Sequence, residues 1–263
     1  MSEGPRIRVE NASLEYRIPH HAAGSIKETL IRIAKRGIAY DLLHAVDGVS
    51  FDVRAGEVLG IIGPNGAGKS TLMKLIARVL PPTHGNVQVR GLVSPLIELG
   101  AGFNLEQTAR ENIVLYGALL GRDAKLMRTR CESVAEWAEL SSFLDVPVRA
   151  YSSGMLARLA FAVAVDVQPD VLLIDEILSV GDSAFQDKSA QRIDQLIEAG
   201  TSVVLVSHNL SQVVEKSHRV LWLHRGRVAS LGEPASVVTQ YVESSGSSPL
   251  PAESSGKTLS NSS

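Results

Sequence analysis

The chain has 263 residues, 44% of them apolar and 21% charged, and a formal net charge of −2. Those are the proportions of an ordinary globular protein with a sizeable core, and a sequence pI near 6.4 offers no basic footprint for nucleic acid. One cysteine, Cys131, excludes an internal disulfide, and neither a signal peptide at Met1–Arg6 nor an apolar run near the ~20 residues of a membrane span is expected.

In chain order, Ile7-Arg8-Val9-Glu10 alternates as a strand and leads through Asn11 to Tyr16. Ser25-Ile26-Lys27-Glu28 then has the spacing of a capping box, which predicts a helix over residues 25–38. Ile26, Leu30, Ile33 and Ala34 share one face, with Lys27, Arg32, Lys35 and Arg36 largely opposite. Such a helix either rests on a membrane surface or a membrane partner, or simply turns a solvated basic face outward. Val49–Val53 alternates again, and Arg54–Glu57 turns into the apolar run Val58-Leu59-Gly60-Ile61-Ile62.

The segment that follows, Gly63-Pro64-Asn65-Gly66-Ala67-Gly68-Lys69-Ser70, fits the phosphate-loop pattern G-x-x-x-x-G-K-[ST]. Thr71-Leu72-Met73-Lys74-Leu75-Ile76 continues as a helix, giving the strand, loop and helix order that the motif requires. The glycines let backbone N–H groups turn inward around phosphate oxygens, and the helix start near Lys69 adds the positive end of its dipole. Lys69 is placed to bridge the β- and γ-phosphates of a nucleoside triphosphate, and the Ser70 hydroxyl to sit on Mg²⁺. A glycine-rich turn that happens to contain lysine is the rival, and the flanking elements weigh against it.

Pro81-Pro82-Thr83-His84-Gly85 breaks that helix and Val87–Val89 resumes as strand. From Gln107 to Leu144 the period becomes helical, through Ile113, Leu115, Tyr116, Leu119 and Leu120 and then Val134, Trp137, Ala138 and Leu140. We read a helical lobe, about residues 104–165, inserted into an α/β core. Val171-Leu172-Leu173-Ile174 is a strand apolar on both faces, as in buried parallel sheets. Its closing carboxylates, Asp175 and Glu176, emerge at the carboxyl end of the sheet, where ligands bind. Asp175 is placed to hold Mg²⁺ and Glu176 to deprotonate an attacking water.

Val203–Val206 is another apolar strand and leads to His208, whose place beside the phosphate site makes it a functional candidate rather than a core histidine. His20, His21, His44 and His84 lack metal-ligand spacing and read as surface or turn residues. Val220–Leu223 and Arg227–Leu231 predict a closing hairpin. From Ser244 the chain is rich in Ser, Gly and Pro, and residues 244–263 are expected to be a disordered tail behind a domain spanning 1–243.

Tyr151-Ser152-Ser153-Gly154-Met155, followed by Ala157–Ala164 and the Val171–Glu176 strand, resembles the signature loop of ABC-type ATPases. His208 in Val206-Ser207-His208-Asn209 resembles their switch histidine, and Ser179–Asp182 stands where their loop after the second carboxylate stands. The wording of Glu98–Phe103, Arg110-Glu111-Asn112-Ile113 and Val180-Gly181-Asp182 with Phe185 is most similar to the ATPase subunits of bacterial polysaccharide exporters, of the O-antigen and teichoic acid type. The resemblance covers roughly residues 6 to 242.

The implied fold is α/β, a P-loop NTPase of the ABC type with a RecA-like core, an antiparallel β subdomain and an inserted helical subdomain. The implied protein is an ATPase using ATP and Mg²⁺, acting as a homodimer beneath two copies of an integral-membrane permease. That would place it peripherally at the cytoplasmic face of the plasma (inner) membrane, with no nucleic-acid partner. Each ATP would lie between the loop Gly63–Thr71 of one subunit and Ser152, Ser153 and Gly154 of the other, with Asp182 coupling the two sites and Tyr16 stacking on adenine. The sequence departs from the family pattern at Ser153 and Met155, which replace glycine and glutamine, and at Glu98, which stands for a metal-contacting glutamine. A further carboxylate near the γ-phosphate is repelled unless the metal pairs it. Two rivals remain at this stage, an ATP-gated clamp on nucleic acid and a transporter of another cargo.

Overall fold

Three runs that are apolar at every position, Val58–Ile62, Val171–Ile174 and Val203–Val206, form the middle of a six-stranded sheet buried on both faces. The computed structural model describes residues 4–19, 40–97, 99–175 and 182–246. The amphipathic stretch 25–38, Glu98, Glu176, Ser179–Gly181 and the tail beyond Gly246 lie outside the described residues.

The strands are β1 (Ile7–Pro19), β2 (Tyr40–Val53), β3 (Val58–Ile62), β4 (His84–Val89), β5 (Val93–Leu96), β6 (Val171–Asp175), β7 (Ser202–Val206), β8 (Arg219–His224) and β9 (Arg227–Gly232). The helices are α1 (Lys69–Ile76), α2 (Ala109–Leu119), α3 (Ala124–Trp137), α4 (Ser153–Asp166), α5 (Ser183–Glu198), α6 (Leu210–Lys216) and α7 (Pro234–Gly246). The large sheet has the order β5-β6-β7-β3-β8-β9, parallel throughout except for the β8–β9 hairpin. A second sheet, β2-β1-β4, is antiparallel.

Side chains alternate across a strand, and here the alternation divides the core. Leu172 and Ile174 of β6, with Val203 and Leu205 of β7, face a cluster built with Phe161 of α4 and Phe185 and Ile193 of α5. Val171, Leu173, Val204 and Val206 face the opposite way, onto Leu72 and Ile76 of α1 and onto Ile7, Val9 and Phe51 of the antiparallel sheet. Ile62 and Val220 meet α6 and α7 through Val213 and Val237.

The expected helical lobe is α2, α3 and α4. Thr108 opens α2 with a complete capping box to Glu111, and Asp123 caps α3. Arg122, buried, fixes the carboxyl end of α4 to the core: its guanidinium donates to the carbonyls of Val163, Ala164 and Val167 and to Ser94 Oγ of β5. A cation is favoured at a helix carboxyl end. Burial pushes its pKa down to about 10, which leaves it charged at neutral pH.

Three features differ from the sequence reading. β5 was not anticipated, because Pro95 interrupts a strand pattern and is tolerated here only at the sheet edge. β1 and β2 run longer than their alternation indicates, since register shifts between Val9 and Glu15 break the period. Helix α7 continues through Gly246, so Ser244, Ser245 and Gly246 are helical and the boundary drawn at Ser244 falls inside an element. Among the described residues no helix is long and apolar enough to cross a membrane.

Candidate functional site

Neighbouring parallel strands end their chains at one edge of a sheet, and the loops that leave β3, β6 and β7 therefore meet. Ile61 of β3 and Asp175 of β6 both pair in register with Val206 of β7. Asp175 thus stands level with the start of the phosphate loop, and His208 follows two residues after Val206. The result is a cleft of about 440 Å³ lined by Asn65–Thr71, Asp175, Val206 and His208, and closed on its other side by Tyr16, Leu43, His44 and Ala45.

The loop is shaped by contacts only glycine permits. Gly63 has φ +150°, and a Cβ there would come within 2.1 Å of the Leu223 carbonyl oxygen. Gly68 has φ +102°, and a Cβ would meet the Ala45 carbonyl at the same distance. Gly68 also opens α1 without any side-chain cap, whereas side chains cap α2 to α6 (Thr108, Asp123, Ser152, Asp182 and Asn209). The first N–H groups of α1 are therefore offered to a ligand, the arrangement that binds phosphate. Lys69 is only 9% exposed, and its ammonium donates to the carbonyls of Gly63 at 2.7 Å and Pro64 at 3.0 Å, which holds it across the loop.

The signature-like residues lie elsewhere. Ser152 caps α4, its Oγ accepting from the Met155 N–H at 3.2 Å, and Ser153 follows it, exposed. None of Ser152, Ser153 and Gly154 lines the phosphate cleft of its own chain. A Cβ on Gly154 would meet nothing nearer than Ser152 Oγ at 3.8 Å. Glycine in a helix costs backbone entropy, and nothing among the described residues requires it there.

Asp182 caps α5 and accepts from the Phe185 N–H at 3.0 Å. Its second oxygen pairs with Arg158 of α4 at 2.9 Å, and Arg158 also reaches Glu139 at 3.1 Å while lying 4.9 Å over the Phe185 ring. The Phe185 N–H, and after it Arg158, hold the Asp182 carboxyl below its ordinary range. Arg158 thus ties the helix behind Ser152 to the loop that carries Asp182.

Of the expected site residues, the structure brings Tyr16, Asn65–Thr71, Asp175 and His208 into one cleft, with Gly63 and Pro64 behind Lys69, and leaves Ser152–Gly154 and Asp182 apart from it. Glu98 and Glu176 lie outside the described residues. Leu43, His44 and Ala45 were missed; they reach the cleft because β2 pairs with β1, Leu43 opposite Tyr16 and His44 opposite Glu15. His44, expected at a plain surface position, borders the cleft and lies 3.2 Å from the Glu15 carboxylate. Cys131 is buried in the lobe and its thiol is pushed up by that burial, away from reactivity.

Residues 46–179 match the family described as ABC transporter. Over 242 residues, 90% of this chain and 97% of the relative, the sequence is 43% identical to the O-antigen export system ATP-binding protein RfbB of Klebsiella pneumoniae. It is 38% identical over 241 residues to the teichoic acids export ATP-binding protein TagH of Enterococcus faecalis, covering 92% of this chain and 53% of that protein. Among solved structures it resembles the dimeric post-hydrolysis state of the ATP-binding cassette MJ0796 bound to ADP and Pi, with a TM-score of 0.67, 22% identity, and coverage of 87% and 98% of the two chains. At that identity the likeness concerns the fold alone.

Proposed function

The chain belongs to the ABC transporter family, and from that membership we propose that it is the ATP-hydrolysing subunit of an exporter of a lipid-linked polysaccharide, an O-antigen or teichoic-acid-like glycan. It binds nucleotide, forms a dimer and works with a membrane permease, which supports a peripheral position at the cytoplasmic face of the membrane. In this proposal two copies of the chain work beneath two permease subunits. One observation carries the mechanism: the phosphate loop, Asp175 and His208 converge in one cleft while Ser152–Gly154 stand away from it. A second copy, facing head to tail, supplies what the cleft lacks.

In this reading Tyr16, 38% exposed at the cleft wall, stacks on adenine. The N–H groups of Gly66–Thr71 and the Lys69 ammonium hold the β- and γ-phosphates. The oxygens of Ser70 and Asp175, which border the same cleft, suit a hard divalent cation, and Glu98 is a further candidate ligand. Mg²⁺ bound there would neutralise charge on the phosphate oxygens. Glu176 takes a proton from water as its oxygen attacks the γ-phosphorus, the bond to the β-γ bridging oxygen breaks, and ADP and inorganic phosphate leave. His208 orients that water and contacts the γ-phosphate.

Across the dimer, Ser152 and Gly154 donate to the γ-phosphate of the partner's nucleotide. Ser153 lines the same approach, and Asp182 couples the two sites. Hydrolysis removes the contacts that hold the dimer closed. The lobe and the segment 98–103 press on the permease as it opens and closes. The test is Glu176→Gln: ATP binding should survive, while hydrolysis falls about 10²-fold or more and export stops. Export at wild-type rate by that variant would refute the assignment.

A further inference from the structure

Asparagine is a poor choice inside a helix, because its side chain competes for backbone hydrogen bonds. Asn112 nevertheless sits within α2 and is 0% exposed. Its side-chain hydrogen bonds all go to one turn, the two Nδ2 protons being shared among three carbonyls. Oδ1 accepts from the Asn104 N–H at 2.7 Å, and Nδ2 donates to the carbonyls of Asn104 at 2.9 Å, Thr108 at 2.9 Å and Gln107 at 3.2 Å. One helical turn on, Tyr116 meets the Phe103 ring edge-on at 5.2 Å and its ring lies against Gly102. A single face of α2 therefore seats the chain from Gly102 to Thr108.

The same turn is held from the other side. The Val148 N–H donates to the Gln107 carbonyl at 2.9 Å and the Arg149 N–H to that of Leu105 at 3.0 Å. The Arg149 guanidinium donates to the Glu106 carboxylate at 2.7 Å. Residues 148–150 run directly into Tyr151–Gly154. Hydrogen bonds from Asn112 and from residues 148–149 thus meet on one turn; the backbone continues from that turn into the segment assigned to the permease, and from residue 150 into the loop assigned to the partner's nucleotide.

We propose that Asn112 is a positioning residue for coupling: it holds the Asn104–Thr108 turn as a stiff link that carries displacement between the 99–103 segment and the signature-like loop. This rests on the exporter reading above, in which those two segments face the permease and the partner copy. A mere staple and a link make different demands. Loss of a staple lowers stability and every activity together. Loss of the link spares turnover by the chain alone and removes the permease's influence on it.

The experiment measures Mg-ATP turnover of the full chain alone and bound to the permease in lipid vesicles, for wild type, Asn112→Asp, Glu106→Arg, Arg149→Glu and the double swap. Asn112→Asp keeps the acceptor for Asn104 but turns a carboxylate toward three carbonyls. The Glu106–Arg149 pair is exposed, 72% and 62%, so its variants fold as wild type does. Expected are turnover alone within about twofold of wild type, a permease-dependent change reduced about tenfold in Asn112→Asp and less in the single charge variants, and recovery in the swap. Turnover that falls equally with and without permease, or a permease effect intact in every variant, overturns the proposal; should Asn112→Asp fail to fold, the charge series decides it. Wild-type turnover indifferent to the permease would instead strike the exporter reading itself.

Discussion

Gly63 and Gly154 are both glycines, for opposite reasons. At Gly63 the fold itself forbids a side chain, since φ is +150° and the Leu223 carbonyl stands 2.1 Å from where a Cβ would sit. At Gly154 space is open and the backbone is the first turn of a helix. Gly63→Ala should therefore lower the unfolding free energy by about 2 kcal/mol or more. Gly154→Ala should leave it unchanged or raise it by up to about 1 kcal/mol, while ATP turnover falls, because in the proposed dimer the side chain would intrude on the partner's phosphate. Chemical denaturation beside a turnover assay separates the two, and a Gly154→Ala protein with full activity removes the role given to that loop. At this scale the convergence of the phosphate loop, Asp175 and His208 in one cleft was legible, because backbone geometry and strand ends impose their spacing. Leu43, His44 and Ala45 were not, because cross-strand register brings them to the cleft and no local pattern announces it.

Elements report their strength in how they are tied. The parallel strands were legible because burial on both faces demands unbroken apolar runs, whereas β5 was hidden by Pro95 and α7 by its mixed composition. The link from α4 to α5 through Arg158 and Asp182 was also invisible in sequence, being a tertiary ion pair. It has a measurable titration. A carboxyl whose folded pKa is depressed adds stability above the unfolded pKa, about 3.9 for aspartate, and loses it as pH falls through the lowered value. Carboxyl NMR should place Asp182 below the ordinary range. In Arg158→Gln it should move up yet stay depressed, since the Phe185 N–H is the larger cause. An unmoved titration would show that Arg158 does not hold the loop.

At the scale of the whole molecule, the proposal gives one chain both halves of a site that it does not join by itself. The cleft gathers the phosphate loop, Asp175 and His208, and Ser152–Gly154 at the start of α4 do not line it. The relatives in O-antigen and teichoic acid export span nearly this whole chain, and among the described residues no helix is long and apolar enough to cross a membrane. In the proposed exporter, the energy of ATP would reach the permease through motion between two copies, with the lobe as the moving part. The most direct measurement is the solution mass, by light scattering, of the Glu176→Gln chain with Mg-ATP, with Mg-ADP, and with Gly154→Ala added. A dimer with ATP that dissociates with ADP and is lost on substituting Gly154 is the expected result. A monomer at saturating ATP, in a protein whose wild type turns over fully as a monomer, would contradict the shared site.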